Sequence, residues 1–479
     1  RKNIGEKEKT GQDNINICPW GRENMTEGLQ KKYGLGTSTA MVVGIVIGSG
    51  VFFKAEKVLQ ATGGNLPLGI LSWIIGGMIM IVCAYTFAVM ASRYERVGGI
   101  VDYAEATLGK TYAYYVGWFL AAIYYPTLTG ALAWVSARYA CVLLGFSITG
   151  PEAMTIAAFF LVASYSLNAL SPLLAGKYQV TTAVFKLIPL LLMAVIGTVA
   201  GLANGTTAAN FTMVVNEVGS PGKAVFTAVV ATAFAYEGWI IATSINAEIK
   251  DAKKNLPRAL VLGTFIIMAV YVLYYVGLAG SVPNSVIMES GEKGARIAFE
   301  NIFGRLGGTA LFVFVVISCL GTLNGLMLGC TRGMYALAAR GEGPRPDIFS
   351  QLDRVTNMAG NSSIIGLFFC SCWFLQFYSS QLTETPWIQA LNFDMTELPI
   401  VTIYAAYIPI FIMMMKKEKG LPAFKRFVVP ALALCGCVFM ILAAVFSHGF
   451  AVVRYMCVFV IIMLIGCWIK RGKTRSEKE

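Results

Sequence analysis

The chain has 479 residues, of which 56% are hydrophobic and only 13% are charged. A soluble domain averages about 25% charged residues, so this composition excludes a soluble globular protein. The net charge of +12 would suit a nucleic-acid-binding protein. However, most Lys and Arg residues flank alternate ends of apolar segments, which indicates membrane insertion instead. The same asymmetry predicts that both termini are cytoplasmic.

Apolar runs of roughly 20 residues recur along the chain, and each is long enough to cross a hydrocarbon core of about 30 Å. They predict an all-α polytopic membrane protein with about twelve transmembrane helices. The polar segment 1–33 has no apolar core, so we expect no cleavable signal peptide. A short surface helix is expected at 296–303. The predicted spans are 35–53, 68–91, 112–144, 154–174, 180–202, 224–245, 260–278, 309–335, 363–377, 398–415, 427–446 and 451–469.

Glycine-rich motifs interrupt two of these apolar segments. The first span contains GIVIGSGVF at 44–52, and the sixth contains FAYEGW at 234–239. A break frees backbone N–H and C=O groups at bilayer depth, where each costs several kcal/mol unless it meets protein, water or a ligand. Paired breaks in the two halves of a chain are typical of the substrate site of a secondary transporter. Their spacing predicts two five-helix repeats of inverted topology, followed by two extra helices.

Two kinds of site are not expected in this chain. No G-x-x-x-x-G-K-[ST] motif is present, so ATP-driven transport and a nucleotide cofactor are not expected. The C-x-C pairs at 370–372 and 435–437 have no histidine nearby, so no metal site is expected either.

The two repeats define the expected organisation of the chain. The predicted segments are a cytoplasmic tail at 1–33, a first repeat at 34–202 (spans 1–5), a second repeat at 203–415 (spans 6–10), spans 11 and 12 at 416–469, and a cytoplasmic tail at 470–479.

The residues at the breaks resemble a known family. The motif at 44–52 is similar to the G-x-x-I-G-x-G-[IV]-F segment of the amino acid–polyamine–organocation (APC) superfamily. The stretch 234–259 resembles the L-type amino acid transporter branch, and its bacterial serine/threonine-exchanger-like members look closest. Residues 321–325 and 331–335 fit span 8 of the family. The resemblance covers 35–339 and implies the 5+5 inverted-repeat fold of the LeuT/APC type.

The resemblance also implies a function. It indicates a sodium-independent amino acid transporter, and among the possible modes it favours an obligatory exchanger that works by alternating access. Two alternatives stay open: proton-coupled or exchange transport of small neutral amino acids such as Ser, Thr and Ala, and amino acid/amine antiport. An enzyme is not expected, because the spans lack clustered His, Asp and Glu residues.

The span-1 break is a candidate carboxylate site. Glycines expose backbone N–H groups, and the half-helix that begins near Ser49 directs its positive dipole end at the break. Small residues that allow close helix packing are the alternative interpretation. The family resemblance assigns the α-carboxylate of the substrate to this segment. The candidate residues are Ile47, Gly48, Ser49 and Gly50.

The span-6 break is expected to offer backbone carbonyls to the α-ammonium of the substrate. Phe234 resembles the aromatic residue that closes the outer side of the pocket in this branch. Packing in the core is the alternative for Phe234, and a hydrogen bond that merely satisfies a neighbouring carbonyl is the alternative for Tyr236. The candidate residues are Phe234, Ala235, Tyr236, Glu237 and Gly238.

Glu237 is a carboxylate at bilayer depth, which costs roughly 2.5–3.5 kcal/mol or more. Three interpretations remain open. The side chain pairs with the distal cation of lysine, arginine, ornithine or a diamine; it carries a coupling proton; or it belongs to a structural ion pair or a wet vestibule. The cationic and cystine-carrying members of the branch resemble this chain in having an acid here, which favours a cationic amino acid. Tyr124 in span 3 is a further candidate pocket residue, with core packing as its alternative.

Lys186 is the other ionisable group deep in a predicted span. A buried lysine needs a partner, unless its side chain snorkels to the interface. The family resemblance places such a lysine where sodium binds in sodium-coupled relatives. It would then tie the span-1 break to span 8, with Ser318 and Thr322 as its oxygen partners. Its fixed positive charge disfavours sodium at the same place.

The expected partners are amino acid substrates and the lipid bilayer, with no nucleic acid. Eukaryotic members of the branch that bond to a glycoprotein carry a cysteine near the outer loop 146–152, which has none here. We therefore expect no disulfide-linked heavy chain and a bacterial plasma (inner) membrane location. His448 falls between spans 11 and 12 and is interpreted as an ordinary surface histidine. Charged residues at the inner ends form either a cytoplasmic gate of ion pairs or solvated loop charge, and we favour the second interpretation: Glu95, Arg96, Lys250, Arg258 and Arg332.

Overall fold

The structure is a computed structural model that describes residues 34–476, except 95–98, 217–218, 241–248, 354–357, 383–384 and 390–391. The predicted tail at 1–33, the last residues of the chain and the loop residues Glu95 and Arg96 lie outside the described residues. In chain order the helices are α1 (Leu35–Val46), α2 (Gly50–Ala61), α3 (Leu66–Arg93), α4 (Ile100–Leu108), α5 (Lys110–Leu144), α6 (Pro151–Leu170), α7 (Leu174–Ala203), α8 (Thr206–Thr212), α9 (Pro221–Tyr236), α10 (Ala252–Ser281), α11 (Asn284–Ser290), α12 (Glu292–Ala338), α13 (Pro346–Phe349), α14 (Gly360–Leu382), α15 (Pro386–Gln389), α16 (Leu398–Lys417), α17 (Phe424–His448) and α18 (Phe450–Ser476).

The helices of the described residues account for eleven of the twelve predicted spans. In the described part of the chain, ten helices are long and apolar enough to cross a membrane, and the bent pair α1–α2 forms one more span. The remaining predicted span, the sixth, begins with α9, which ends after 16 residues at Tyr236. The polytopic all-α fold is therefore confirmed. Inner and outer sides are named below according to the predicted topology.

Several predicted boundaries were wrong, and the first span matters most for the site. The prediction ended span 1 at Phe53, whereas α2 continues to Ala61 and includes Lys54. Charged residues in the last turns hid this helix from a pattern based on hydrophobicity. The predicted outer loop at 202–222 contains α8, and the surface helix expected at 296–303 is the first part of α12, which kinks at Gly304.

Two helix pairs form the framework that holds the broken spans. Trp73 of α3 packs against Tyr271 and Tyr275 of α10, with ring centroids 5.6 and 6.2 Å apart. Tyr139 of α5 packs against Phe312 of α12 at 5.5 Å. Helix α1 packs along α10, and α9 packs against both α2 and α3. The framework therefore holds the two breaks side by side.

Burial separates central from peripheral helices. In α5, 78% of the most apolar window is buried, whereas the corresponding value for α18 is 11%. Phe450, Leu464 and Trp468 of α18 are exposed apolar side chains, as expected for contact with lipid tails. The inner-end residues Lys250, Arg258 and Arg332 are also exposed, which agrees with their interpretation as solvated charge.

Candidate substrate site at two helix breaks

The span-1 break is a sharp bend in the middle of the bundle. Helix α1 ends at Val46, Ile47 is extended with ψ 106°, and α2 begins at Gly50. The two half-helices are bent by 57°. Ile47 and Ser49 are buried. The N-terminus of the 12-residue helix α2, with its positive dipole end, therefore lies inside the protein, as the motif predicts.

Span 8 holds this break through a hydroxyl group. The backbone N–H of Ser49 donates to Thr322 Oγ1 at 3.2 Å, and the Thr322 hydroxyl donates to the Ser318 carbonyl at 3.0 Å. A Cβ atom on Gly48 would lie only 3.0 Å from Thr322 Oγ1. The Ser318 hydroxyl is buried without a hydrogen-bond partner among the described residues. Thr322 thus fixes the path of the break.

The Lys186 ammonium meets the same break from span 5. Its Nζ donates to the Gly44 carbonyl at 2.6 Å, and the side chain is almost fully buried. The oxygen partners expected from the family, Ser318 and Thr322, are not its hydrogen-bond partners in the described structure. Lys186 therefore braces the last turns of α1, whereas the connection between the break and span 8 runs through Thr322.

The span-6 break begins where α9 ends. Tyr236 is its last helical residue, Glu237 is extended, and Gly238 has φ 106°, in the left-handed region that favours glycine. The Tyr236 hydroxyl donates to the Trp73 carbonyl at 2.8 Å. The Tyr271 hydroxyl donates to the Ala235 carbonyl at 3.1 Å. The Tyr236 side chain thus braces the break against α3, which agrees with its alternative interpretation as a residue that satisfies a carbonyl group.

The two breaks touch each other. A Cβ atom on Gly50 would lie 2.6 Å from the Ala235 Cα, and one on Gly238 would lie 3.7 Å from the Ile45 carbonyl oxygen. The N-terminal end of α2 and the C-terminal end of α9 therefore meet at one place. Their dipole ends have opposite sign, so the pair is complementary to a zwitterion with one carboxylate and one ammonium group.

The Glu237 carboxyl group lies beside this place without an ion pair among the described residues. Both carboxylate oxygens are buried and have no hydrogen bond of good geometry among the described residues. The Tyr124 hydroxyl and the Gly238 N–H are its nearest polar neighbours. Tyr404 and Tyr407 of α16 lie within electrostatic range, and the Tyr407 hydroxyl is also buried without a partner. The structure therefore brings Tyr124 and Glu237 together.

The two α16 tyrosines were absent from the sequence-based candidates. Tyr404 and Tyr407 are spaced three residues apart in span 10, so they share one helix face. This spacing is the sequence signal that could have identified them as a pair. It does not reveal that the face is turned towards Glu237 rather than towards lipid.

Phe234 lies over the outer side of the breaks. Its ring packs edge to face on Phe53 at 5.1 Å, and its Cδ1 would be 3.1 Å from a Cβ atom on Gly50. The Lys54 ammonium lies 5.2 Å from the Phe53 ring centroid and 5.9 Å from that of Phe234. The two rings form a layer directly above the breaks, which we call the aromatic layer.

A buried ion cluster lies next to the aromatic layer. Lys54 Nζ donates to Glu397 Oε1 at 2.6 Å and to Thr396 Oγ1 at 3.0 Å. His448 Nε2 lies 2.9 Å from Glu397 Oε2. The interpretation of His448 as an ordinary surface histidine was therefore wrong, because the end of α17 meets the start of α16. We refer to Lys54, Glu397 and His448 as the outer ion cluster.

A bundle of membrane-crossing helices with two helix breaks that meet in its interior defines the class of secondary transporters. Comparison with known proteins identifies the family. The chain belongs to the amino acid permease family, whose model matches residues 33–468.

The curated relatives are amino acid transporters by name. The chain is 30% identical over 317 residues to the serine/threonine exchanger SteT of Bacillus subtilis (strain 168), a match that covers 66% of this chain and 70% of SteT. It is 25% identical to the human cystine/glutamate transporter, over 73% of this chain and 66% of that protein. It is also 25% identical to the human b(0,+)-type amino acid transporter 1, over 67% and 65% of the two chains. The membership in the APC superfamily inferred from the motifs is confirmed.

Proposed function

We propose that this protein is a sodium-independent amino acid exchanger that works by alternating access and prefers cationic amino acids. The observation that carries the proposal is the Glu237 carboxylate, which is buried beside the two breaks and has no cationic partner among the described residues. An uncompensated buried carboxylate is costly, and the distal ammonium or guanidinium of a substrate would compensate it.

The two breaks would bind the amino acid backbone. Of the backbone N–H groups in the described break, that of Ser49 is taken by Thr322 and that of Phe52 by the Ser49 carbonyl. The N–H groups of Gly50 and Val51 make no such bond, so they are available to the α-carboxylate of a substrate. The carbonyls at the end of α9 would accept the α-ammonium. A substrate bound at these ends would lie beneath Phe234, whose ring would exclude water from the outer side.

Lys186 supports the proposal of sodium independence. Its ammonium lies against the Gly44 carbonyl, so a fixed positive charge already stabilises the end of α1. A sodium ion at the same carbonyl would be repelled by that charge. We propose that Lys186, with Ser318 and Thr322 on the adjacent face of span 8, couples the conformation of the break to that of span 8.

Exchange of small neutral amino acids, with or without a coupled proton, is the second candidate. It is favoured by the relative whose name specifies serine and threonine. In that case Glu237 would bind a proton instead of a substrate cation. In either case we propose a stand-alone transporter of a bacterial plasma membrane, divided into the two repeats predicted above, with both termini in the cytoplasm.

Counterflow in proteoliposomes tests the proposal. Purified protein is loaded with each of the twenty common amino acids, ornithine, putrescine or cadaverine, and uptake of the matching labelled compound is measured. We expect uptake only against a loaded interior, fastest for lysine, arginine or ornithine and unchanged when sodium is replaced by choline. Fastest exchange of serine, threonine or alanine would support the second candidate instead. Uptake driven by a proton gradient into empty vesicles would contradict obligatory exchange.

A further inference from the structure

Three titratable side chains from distant parts of the chain meet on the outer side of the aromatic layer. Lys54 lies about one turn after the start of α2, Glu397 immediately precedes α16, and His448 is the last residue of α17. The Lys54 and Glu397 side chains are 3% and 8% exposed, so this ion pair is nearly dry. The His448 side chain is 15% exposed, which leaves it in reach of the outer solution.

The cluster joins an element that must move to elements that surround it. Helix α2 carries both Phe53 of the aromatic layer and Lys54 of the ion pair. A substrate that enters from outside needs α2 to swing away from α9, because Gly50 is packed on Ala235 at backbone distance. This movement would withdraw Lys54 from Glu397 and from Thr396. Separating a buried ion pair leaves two charges without partners or exposes them to water. The ion pair therefore opposes the movement of α2.

We propose that the Lys54–Glu397 ion pair latches the outer entrance to the substrate site, and that His448 makes the strength of this latch depend on the external pH. The proposal rests on the proposed function for the direction of entry.

The charges around His448 set the sign of the pH dependence. It faces the carboxylate of Glu397, the more distant carboxylate of Asp394 and the ammonium of Lys54. A protonated imidazole therefore adds a second positive charge to Glu397 and tightens the cluster, while Lys54 weakly opposes it. As the external pH rises and His448 loses its proton, the cluster loses this charge. The outer entrance should then open more readily.

Glu397 itself does not titrate in the physiological range. Burial acts to raise the pKa of its carboxyl, but the Lys54 ammonium and the His448 imidazole lower the pKa to about 2. The carboxylate is therefore ionised at any external pH between about 5 and 8. A pH dependence of the latch in that window must come from His448.

A spectroscopic experiment tests the cluster without transport. His448 is the only histidine of the sequence, so tag-free protein with labelled histidine gives a single imidazole signal in an NMR titration. Glu397→Gln should move the midpoint of that titration to lower pH by about one to three units, because an opposite charge has been removed. Lys57→Met is the control. Lys57 lies on the same helix as Lys54 but is exposed, so its substitution should leave the midpoint unchanged. A midpoint unaffected by Glu397→Gln would overturn the proposal.

A transport experiment tests the latch. Exchange is measured at external pH 5.5 to 8.0 with the internal pH fixed, for the wild type, for His448→Gln and for the double variant Lys54→Met/Glu397→Gln. Wild-type exchange should slow roughly tenfold towards pH 5.5, the change expected for one additional charge-assisted hydrogen bond. Both variants should lose this pH dependence of the exchange rate. The double variant should exchange at least as fast as the wild type does at pH 8.0.

The outcomes separate the two proposals. A pH profile that His448→Gln leaves intact would overturn the latch while the exchanger proposal stands. If the wild type exchanged no amino acid, the exchanger proposal would fail, and the NMR titration would still decide whether Glu397 controls His448. Folding of each variant is checked by its elution volume and thermal unfolding, so that a misfolded variant is not taken for an open latch.

Discussion

The substitution Glu237→Gln tests the substrate preference most directly. Glutamine has nearly the same shape as glutamate, so it removes the charge and leaves the packing beside Tyr124 in place. Truncating one partner of a buried charge pair costs about 2–5 kcal/mol of binding free energy. Since every 1.4 kcal/mol is a factor of ten, the variant should bind lysine, arginine and ornithine about 30-fold to several thousandfold more weakly. Neutral amino acids should retain or gain affinity.

Thermal unfolding without added amino acid gives a second, independent test of the same variant. Both Glu237 oxygens are buried without a good hydrogen bond among the described residues. An uncompensated charge at this depth costs roughly 2.5–3.5 kcal/mol, so its removal should raise the thermal unfolding temperature of the substrate-free protein. Added lysine should stabilise the wild type and should no longer stabilise the variant.

The assay is competition by unlabelled amino acids in counterflow, combined with thermal unfolding in detergent. Glu152→Gln is the control, since Glu152 is an exposed acid at the start of α6 and should change neither result. Unchanged lysine affinity in Glu237→Gln would refute the argument that this carboxylate selects cationic substrates. An unchanged unfolding temperature would show that Glu237 is already compensated or protonated in the protein without added amino acid.

Three further predictions follow from the packing of the breaks and from the outer ion cluster. Gly50→Ala should lower protein stability by about 1–3 kcal/mol, measured by thermal unfolding, because the new Cβ would lie 2.6 Å from the Ala235 Cα. Lys186→Met should slow exchange at least about tenfold in counterflow, because the α1 carbonyl that it caps loses a charged donor. The unfolding temperature of the wild type minus that of Lys54→Met/Glu397→Gln should rise as the pH falls through the titration of His448, because Glu397 stabilises the protonated imidazole, and should then be constant down to about pH 4.5. It should shrink as the pH falls towards about 2, because the low pKa of Glu397 contributes stability only while the carboxyl is ionised.

Each of these three predictions has a control variant or a result that would contradict it. Gly36→Ala is the control for Gly50→Ala, because a Cβ atom there would meet nothing within 4 Å. Full stability of Gly50→Ala would mean that the two breaks are not in backbone contact. Lys177→Met, an exposed lysine of the same span, is the control for Lys186→Met, and normal exchange by Lys186→Met would remove the bracing role. A stability difference independent of pH down to 2 would contradict the ionised state of Glu397.

Features that are local in the chain were accessible from the sequence. The predicted spans follow from apolar runs whose length must match the hydrocarbon core, and eleven of the twelve agree with helices of the described residues apart from their ends. The breaks at 47–49 and 237–238 follow from glycines in otherwise helical segments, and both occur where the motifs place them. The prediction failed where charge ended an apolar run before the helix ended, as it does at Lys54.

The tertiary structure decided which side chains meet. Lys54 and Glu397 are 343 residues apart in sequence, and Glu397 and His448 are 51 residues apart. Lys186 bonds to the Gly44 carbonyl instead of the expected span-8 oxygens, and the tyrosines of α16 turn towards Glu237. Hydrophobic periodicity states which residues are apolar and how long a helix can be. It carries no information on the rotation and crossing of helices, and these determine whether a buried charge finds a partner.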